Sequence, residues 1–122
     1  MTKTLAQWEA QRREANEAIG HLQDERRRSE NAHLVGKAFK YRNSYSCPEN
    51  PSDYWWLYVK VTKLAEDGGL SLFTFETDKY RHVRIQVETH RYGLGSDYQP
   101  ISAAEYRKAL KALQSRVAKF RP

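Results

Sequence analysis

The strongest constraint on the fold is residues 54–61, whose side chains alternate in character with a period of two. Such alternation places successive side chains on opposite faces of a β-strand. We expect one face to line the inside of a small β-barrel; its members are Trp55, Leu57, Val59 and Val61. The other face is an aromatic row that ends in a cation, and its members are Tyr54, Trp56, Tyr58 and Lys60.

The segment around this strand is also predicted to be β-structure. Strands are expected at 34–42, 54–64, 70–76 and 82–88, with a short fifth strand near 97–99. Gly68 and Gly69 mark a tight hairpin turn, because glycine adopts positive φ without strain. In the fourth strand we expect Val83, Ile85 and Val87 to face the core.

Residues 4–31 are predicted to form one long helix, because they contain no proline and are rich in good helix formers. Thr4 and Gln7 have the spacing of a capping box. A narrow apolar stripe runs along this helix and consists of Leu5, Trp8, Ala15, Ile19 and Leu22. A helix of this length measures about 40 Å. Part of it must therefore project from a small barrel, or another helix must cover it.

A second helix is predicted after Ser102, which has the spacing of a capping box with Glu105. Its apolar stripe consists of Tyr106, Leu110, Leu113, Val117 and Phe120. Its opposite side is basic and carries Arg107, Lys108, Lys111 and Lys119. Residues 101–122 hold six basic side chains and one acidic one, so they account for most of the net charge of +6. This basic face either contacts an anionic partner or is solvated.

These elements predict an α+β protein with three parts. The parts are a long N-terminal helix (1–33), a four- or five-stranded antiparallel barrel (34–100) and a basic C-terminal helix (101–122). We expect the last helix to pack on the barrel or on the first helix. Because each helix has a narrow apolar stripe that needs a surface to lie on, we also expect the helices to mediate a homodimer.

The sequence offers little material for catalysis. Cys47 is the only cysteine, so no disulfide forms within the chain. The four histidines are scattered, and no metal-binding motif or phosphate loop occurs, so we expect no metal and no cofactor. A small thiol-dependent enzyme using Cys47 is the alternative to a non-enzymatic protein. Because the sequence has no long apolar run and no apolar leader, we expect a cytoplasmic protein that does not enter membranes.

Aromatic and cationic side chains on the predicted barrel favour binding of another macromolecule, in the first instance a protein. The candidate contact residues are Tyr41, Arg42, Tyr45, Tyr54, Trp56, Tyr58, Lys60 and Arg84. The loop 43–53, in which two prolines exclude regular strand pairing, adjoins this surface. One alternative is nucleic-acid binding, with rings stacked on bases and cations on phosphates. Another is that a terminal helix covers the aromatic row.

Four segments resemble, in architecture, the small Src-homology-three-type barrels to which Tudor modules belong. They are residues 34–41, the strand at 54–61, the Gly68-Gly69 hairpin and residues 82–87. The resemblance covers about half the chain and implies a fold but no activity. The loop 43–49, followed by an aromatic strand, also resembles small accessory proteins of phages and prophages. That resemblance implies a protein that binds and blocks host machinery, including defence systems.

Overall fold

The computed structural model describes residues 4–119 and shows a helix, a five-stranded sheet and a second helix in that order. The elements are α1 (Leu5–Asn31), β1 (Ala38–Ser44), β2 (Tyr54–Leu64), β3 (Leu70–Thr77), β4 (Val83–His90), β5 (Gln99–Ile101) and α2 (Ala103–Lys119). The predicted α+β class and order of elements are confirmed. Phe120 and the side chain of Lys119, named above, lie outside the described residues.

The strands form one antiparallel sheet in the order β4-β3-β2-β1-β5. The sheet is open, in contrast to the closed barrel that we expected, and β4 and β5 are its edges. With only three residues, β5 pairs with the start of β1 and is too short to close the sheet onto β4. The loop before β5 folds over one face of the sheet instead. There the ring of Tyr98 meets the ring of His90 edge-on, with their centroids 6.0 Å apart.

Both faces of the sheet contribute to the core. The core of one face, here called the inner face, consists of Phe39, Val59, Val61, Leu70 and Leu72. Leu34, from the short 3-10 helix Ala32–Leu34 that follows α1, packs against this cluster, as do Leu94 and Tyr98 from the loop before β5. The opposite face, here called the helix face, packs against α2; its buried cluster is Ala38, Phe75, Tyr106 and Leu113. Val59 and Val61 are fully buried, which confirms the predicted direction of these side chains in β2.

The expected core-facing direction of the β4 side chains is wrong for Ile85 and Val87. Arg84 and Gln86 lie on the inner face, opposite Glu76 and Thr74 of β3. The intervening Ile85 and Val87 lie on the helix face and are 51% and 77% exposed. The physical reason is that alternation distinguishes two faces but does not say which of them is covered. α2 reaches the start of β4, where Val83 is partly buried, and leaves the remainder of this edge strand open.

Helix α1 projects from the sheet as an arm. It begins at the predicted capping box, in which the Thr4 N–H donates to Gln7 Oε1 (2.9 Å) and the Gln7 N–H donates to Thr4 Oγ1 (3.3 Å). Leu5 and Leu22, on its apolar stripe, are 74% and 65% exposed. Of the two arrangements expected for this helix, the structure therefore adopts the projecting one.

The C-terminal end of α1 (residues 27–31), here called the root of the arm, is held by the hairpin between β2 and β3. Asn31 Nδ2 donates to the Gly68 carbonyl at 2.9 Å, and Arg27 Nη1 donates to the Asp67 carbonyl at 2.6 Å. Gly68 has a φ of +85°, and a Cβ placed on it would lie 2.6 Å from the backbone nitrogen of Arg28. Glycine is therefore needed here twice, for the backbone conformation and for the close approach of α1.

Candidate functional site

A cleft of about 500 Å³ opens at the end of β3, between the loop that follows β1 and the start of β4. Tyr45 and Trp55 supply its aromatic lining, and Glu76 and Asp78 supply two carboxylates. Arg84 also lines it, with a side chain that is 69% exposed. We call this site the Glu76 cleft. It combines rings and carboxylates in a concave surface, which is the usual form of a recognition site.

Glu76 is buried although it is charged. Its Oε2 accepts hydrogen bonds from Asn43 Nδ2 (2.9 Å) and from the indole Nε1 of Trp55 (3.0 Å). Its Oε1 lies 3.8 Å from Arg84 Nη1, which is an ion pair beyond hydrogen-bond length. One oxygen thus fixes the carboxylate in place. The other keeps capacity to accept a hydrogen bond from a ligand.

The aromatic wall of the cleft is formed by two rings in contact. The ring centroids of Tyr45 and Trp55 are 4.7 Å apart, with planes tilted by 58°. The hydroxyl oxygen of Tyr45 is buried and has no hydrogen-bond partner among the described residues. Burial raises the pKa of Tyr45, and the adjacent carboxylate of Asp78 raises it further. The Tyr45 hydroxyl thus adds a polar group to this corner of the cleft.

Asp78 shapes the turn between β3 and β4 at the rim of the cleft. Its Oδ1 accepts from the backbone N–H groups of Tyr80 (2.9 Å) and His82 (3.0 Å). Its Oδ2 lies 3.1 Å from Nδ1 of the exposed His82 ring. Burial acts to raise the pKa of Asp78, but the hydrogen bonds from His82 and Tyr80 outweigh it and lower the pKa. Asp78 is therefore a second anion beside Glu76.

Asp53 anchors the loop that carries Tyr45. Its Oδ2 accepts from the backbone N–H groups of Glu49 (2.9 Å) and Asn50 (3.0 Å), and its Oδ1 pairs with Lys79 Nζ. The hydrogen bond from Lys79, with those two backbone donors, lowers the pKa of Asp53 to about 2. Lys79 Nζ also lies 5.2 Å from the centroid of the Tyr45 ring. These contacts tie the loop to the β3–β4 turn and fix the width of the cleft.

The aromatic row expected to meet a partner lies on the helix face, and much of it is already occupied. Tyr58 stacks on Phe75 at 5.4 Å, and α2 packs over both rings. Lys40 Nζ lies 4.5 Å from the Trp56 ring. This arrangement matches the alternative in which a terminal helix covers part of the row.

Cations of the chain itself cover the remainder of this row. The guanidinium of Arg42 lies 4.2 Å from the ring of Tyr54. Lys60 lies at the other end, with its Nζ 5.7 Å from the ring of Tyr106 in α2. Rings that hold a cation from the same chain offer less area for stacking a nucleic-acid base. The helix face therefore presents cations rather than free rings.

The remaining expected contact residues are dispersed. Tyr41 lies against Tyr98, with ring centroids 5.1 Å apart, away from the row on the helix face. The basic residues Arg107, Lys108 and Lys111 are exposed on α2. The structure thus distributes the expected residues over four places. Tyr45 and Arg84 line the Glu76 cleft, Tyr41 packs beneath the loop before β5, and the others lie on the helix face or on α2.

Sequence reasoning missed Glu76 and took Trp55 for a core residue. A usable signal was present, because Glu76 follows Leu70, Leu72 and Thr74 at alternate positions of one strand. A carboxylate on the apolar face of a strand needs hydrogen-bond donors, and the indole of Trp55 is one of them. Together these two facts point to a polar site at the end of β3.

Other kinds of site have less support. Cys47 is exposed in the loop between β1 and β2. Over residues 4–119, no three His, Cys, Asp or Glu side chains lie close enough together to hold a metal ion. Within the same residues, neither helix combines the length and the apolar character needed to cross a membrane. Comparison with protein-family models, with curated proteins and with solved structures finds no match to this chain.

Proposed function

We propose that this chain is a non-enzymatic protein-binding module whose binding surface is the Glu76 cleft, including residues 43–46 at the start of the loop 43–53, which line it. The observation that carries the proposal is the geometry of Glu76, which is buried and fixed through Oε2 while Oε1 keeps acceptor capacity in an aromatic-lined cleft. A cation placed there gains an ion pair with Glu76 and a cation–π contact with the ring of Trp55. The partner therefore contributes a lysine or arginine side chain.

The position of Arg84 supports this assignment. Its guanidinium pairs with Glu76 at 3.8 Å, and its side chain is 69% exposed. An exposed, long ion pair contributes little, because solvent screens it and the side chain stays mobile. A guanidinium from a partner that enters the cleft beside the two rings is desolvated and gains more from the same carboxylate. Arg84 then swings into solvent at little cost.

The test is a titration with a tetra-arginine peptide, followed by NMR. The reporter is the indole N–H resonance of Trp55, which donates to Glu76 and shifts when Glu76 takes up a cation. We expect Glu76→Gln to weaken binding about tenfold or more, because it removes the charge and keeps the shape. The matched control is Glu49→Gln, which makes the same charge change in the exposed part of the loop.

Two results contradict the proposal. The first is equal affinity of the peptide for Glu76→Gln and Glu49→Gln, since binding then reflects overall charge. The second is a titration in which the Trp55 indole resonance stays in place while others shift. Circular dichroism of both variants separates a loss of binding from a loss of folding.

The proposed mode of action is occupation of a partner surface without chemistry. It agrees with the resemblance to phage and prophage accessory proteins that block host machinery. We propose a cytoplasmic location, where an exposed thiol such as Cys47 remains reduced. Cys47→Ser is accordingly expected to leave peptide binding unchanged, and a loss of activity in that variant favours the thiol-dependent alternative.

Nucleic-acid binding is the second candidate, and the cations of the helix face favour it. Lys40 and Arg42 of β1 and Lys60 of β2 lie on this face, and Lys60 lines one pocket with the exposed Arg107 of α2. Four phosphate contacts to a single strand predict a loss of affinity of about 50-fold between 50 and 200 mM salt. Fluorescence anisotropy with a labelled oligonucleotide measures this slope. Absent or salt-independent binding removes this candidate.

A further inference from the structure

The arm exposes an apolar stripe that the sheet does not use. Along α1, Leu5, Trp8, Ile19 and Leu22 are 74%, 59%, 52% and 65% exposed. We infer that α1 pairs in antiparallel orientation with α1 of a second copy of this chain. This inference is independent of the Glu76 cleft.

The spacing of the stripe matches that of a coiled-coil seam. Positions 12 and 15 lie between Trp8 and Ile19 on the same side of the helix. With them, the stripe runs through residues 5, 8, 12, 15, 19 and 22, with alternating steps of three and four. This is the a and d pattern of a heptad repeat, which places all six positions on one line of the helix. Arg12 and Ala15 occupy the middle of that line.

The seam residues of one copy are complementary to those of a second copy that runs in the opposite direction. With the two-fold axis level with residues 13 and 14, Leu5 lies opposite Leu22 of the second copy and Trp8 opposite Ile19. Each of the four large apolar residues then meets another of the four. At the centre, the long Arg12 lies opposite the small Ala15, which leaves its guanidinium a path to solvent.

Charge disfavours the parallel alternative. In a parallel, in-register pair, Arg12 meets Arg12 of the second copy in a core layer. At the flanks, Glu25 occupies a g position and faces Glu30 of the second copy at an e position. Both are like-charge contacts. The antiparallel register moves the two Arg12 side chains into different layers and separates Glu25 from Glu30 of the second copy, and it places Glu9 beside Asn16 instead.

The length of the arm also fits this pairing. The seam ends at Leu22, whereas the contacts of α1 with the hairpin begin at Arg27. The overlapping part, residues 5–22, is about 27 Å long. The helix of the second copy therefore starts just short of the root of the arm. The two sheets lie at opposite ends of the pair and do not collide.

The area available agrees with a weak but specific dimer. The four exposed apolar side chains offer on the order of 500 Å² per copy, so a pair buries about 1,000 Å², near the lower bound for a specific interface. We therefore expect dissociation constants in the micromolar range and a dimer that forms as concentration rises. Sedimentation velocity across a dilution series measures this equilibrium.

The orientation is tested by crosslinking in a Cys47→Ser background. Leu5→Cys and Leu22→Cys are prepared separately and treated with a short bismaleimide crosslinker. The antiparallel pair predicts no covalent dimer from either variant alone and a covalent dimer from their mixture. A parallel pair gives dimers from each variant alone and overturns the inference. Absence of crosslinking in all three samples, with a monomer by sedimentation, overturns it as well.

Ile19→Glu provides the matching loss-of-function test, because this exposed position tolerates a charge without unfolding. Its matched control is Ala10→Glu, which lies on the side of α1 opposite the seam. We expect the dimer dissociation constant to rise at least tenfold for Ile19→Glu and to stay unchanged for Ala10→Glu. Equal behaviour of the two variants contradicts the assigned seam. Peptide binding at the Glu76 cleft is expected to persist in both.

Discussion

Replacing Gly68 with alanine places a methyl group between the β2–β3 hairpin and the root of the arm. The new Cβ would lie 2.6 Å from the backbone nitrogen of Arg28 and 2.7 Å from Cβ of Arg27. Neither is the free end of a flexible side chain, so the neighbours cannot turn aside. Alanine must also adopt the left-handed backbone conformation, at a φ of +85°.

Two costs combine in this substitution. The left-handed conformation costs alanine about 1 kcal/mol relative to glycine. Relief of the overlap displaces α1 and breaks the buried hydrogen bond from Asn31 to the Gly68 carbonyl, which costs about 2 kcal/mol. Together they predict a loss of about 3 kcal/mol and a fall in Tm of about 10 °C for a chain of this size.

Urea unfolding followed by circular dichroism measures the global loss, and limited trypsin digestion at Arg27 and Arg28 detects a detached root. The control is Gly20→Ala, because a Cβ on Gly20 meets nothing within 4 Å and the residue lies inside α1. That variant is expected to gain about 1 kcal/mol from helix propensity. If Gly68→Ala matches wild type in both assays, the hairpin does not hold the arm as closely as the 2.6 Å approach implies.

Two further predictions concern the core and the loop anchor. Phe75 is 3% exposed and packs between the rings of Tyr58 and Tyr106. Its replacement by alanine is expected to lower the free energy of unfolding by about 3–4 kcal/mol, whereas replacement of the exposed Val87 should lower it by less than about 0.5 kcal/mol. Similar urea midpoints for the two variants contradict the assigned faces. Because the pKa of Asp53 is lowered from 3.8 to about 2, its stabilising contribution is complete above pH 3.8 and is lost as the pH falls toward 2. The difference in free energy of unfolding between wild type and Asp53→Asn should therefore disappear as the pH falls over that range. A difference that stays constant with pH shows that the ion pair with Lys79 does not cause it.

Local patterns predicted the elements of this fold better than their arrangement. The bounds of β2 and the capping box at Thr4 follow from spacing alone, whereas the length of α1 left open whether it projects or is covered by another helix. The closure of the sheet and the orientation of β4 do not, because they depend on contacts distant in sequence. The exposure of Ile85 is set by where α2 ends its coverage, and nothing within 83–90 encodes that limit.

For the candidate site too, individual residues were predicted better than their arrangement. Tyr45 and Arg84 were identified from residue type, and both line the Glu76 cleft. Tyr58 was identified in the same way, yet α2 covers it. Trp55 has the pattern of a core residue and serves instead as a hydrogen-bond donor to a buried carboxylate. Residue type identified two side chains that line the cleft, whereas their grouping depended on the packing of α2 and on the loop anchored by Asp53.

The arm is attached to the hairpin through main-chain acceptors. Arg27, Arg28 and Asn31 donate to the carbonyls of Asp67, Glu66 and Gly68, respectively. A main-chain carbonyl is present whatever the side chain, so the backbone conformation of the hairpin determines where these three acceptors lie. Glu66 is therefore open to replacement without loosening the joint, and the same three donors at the end of another helix would fit the same turn.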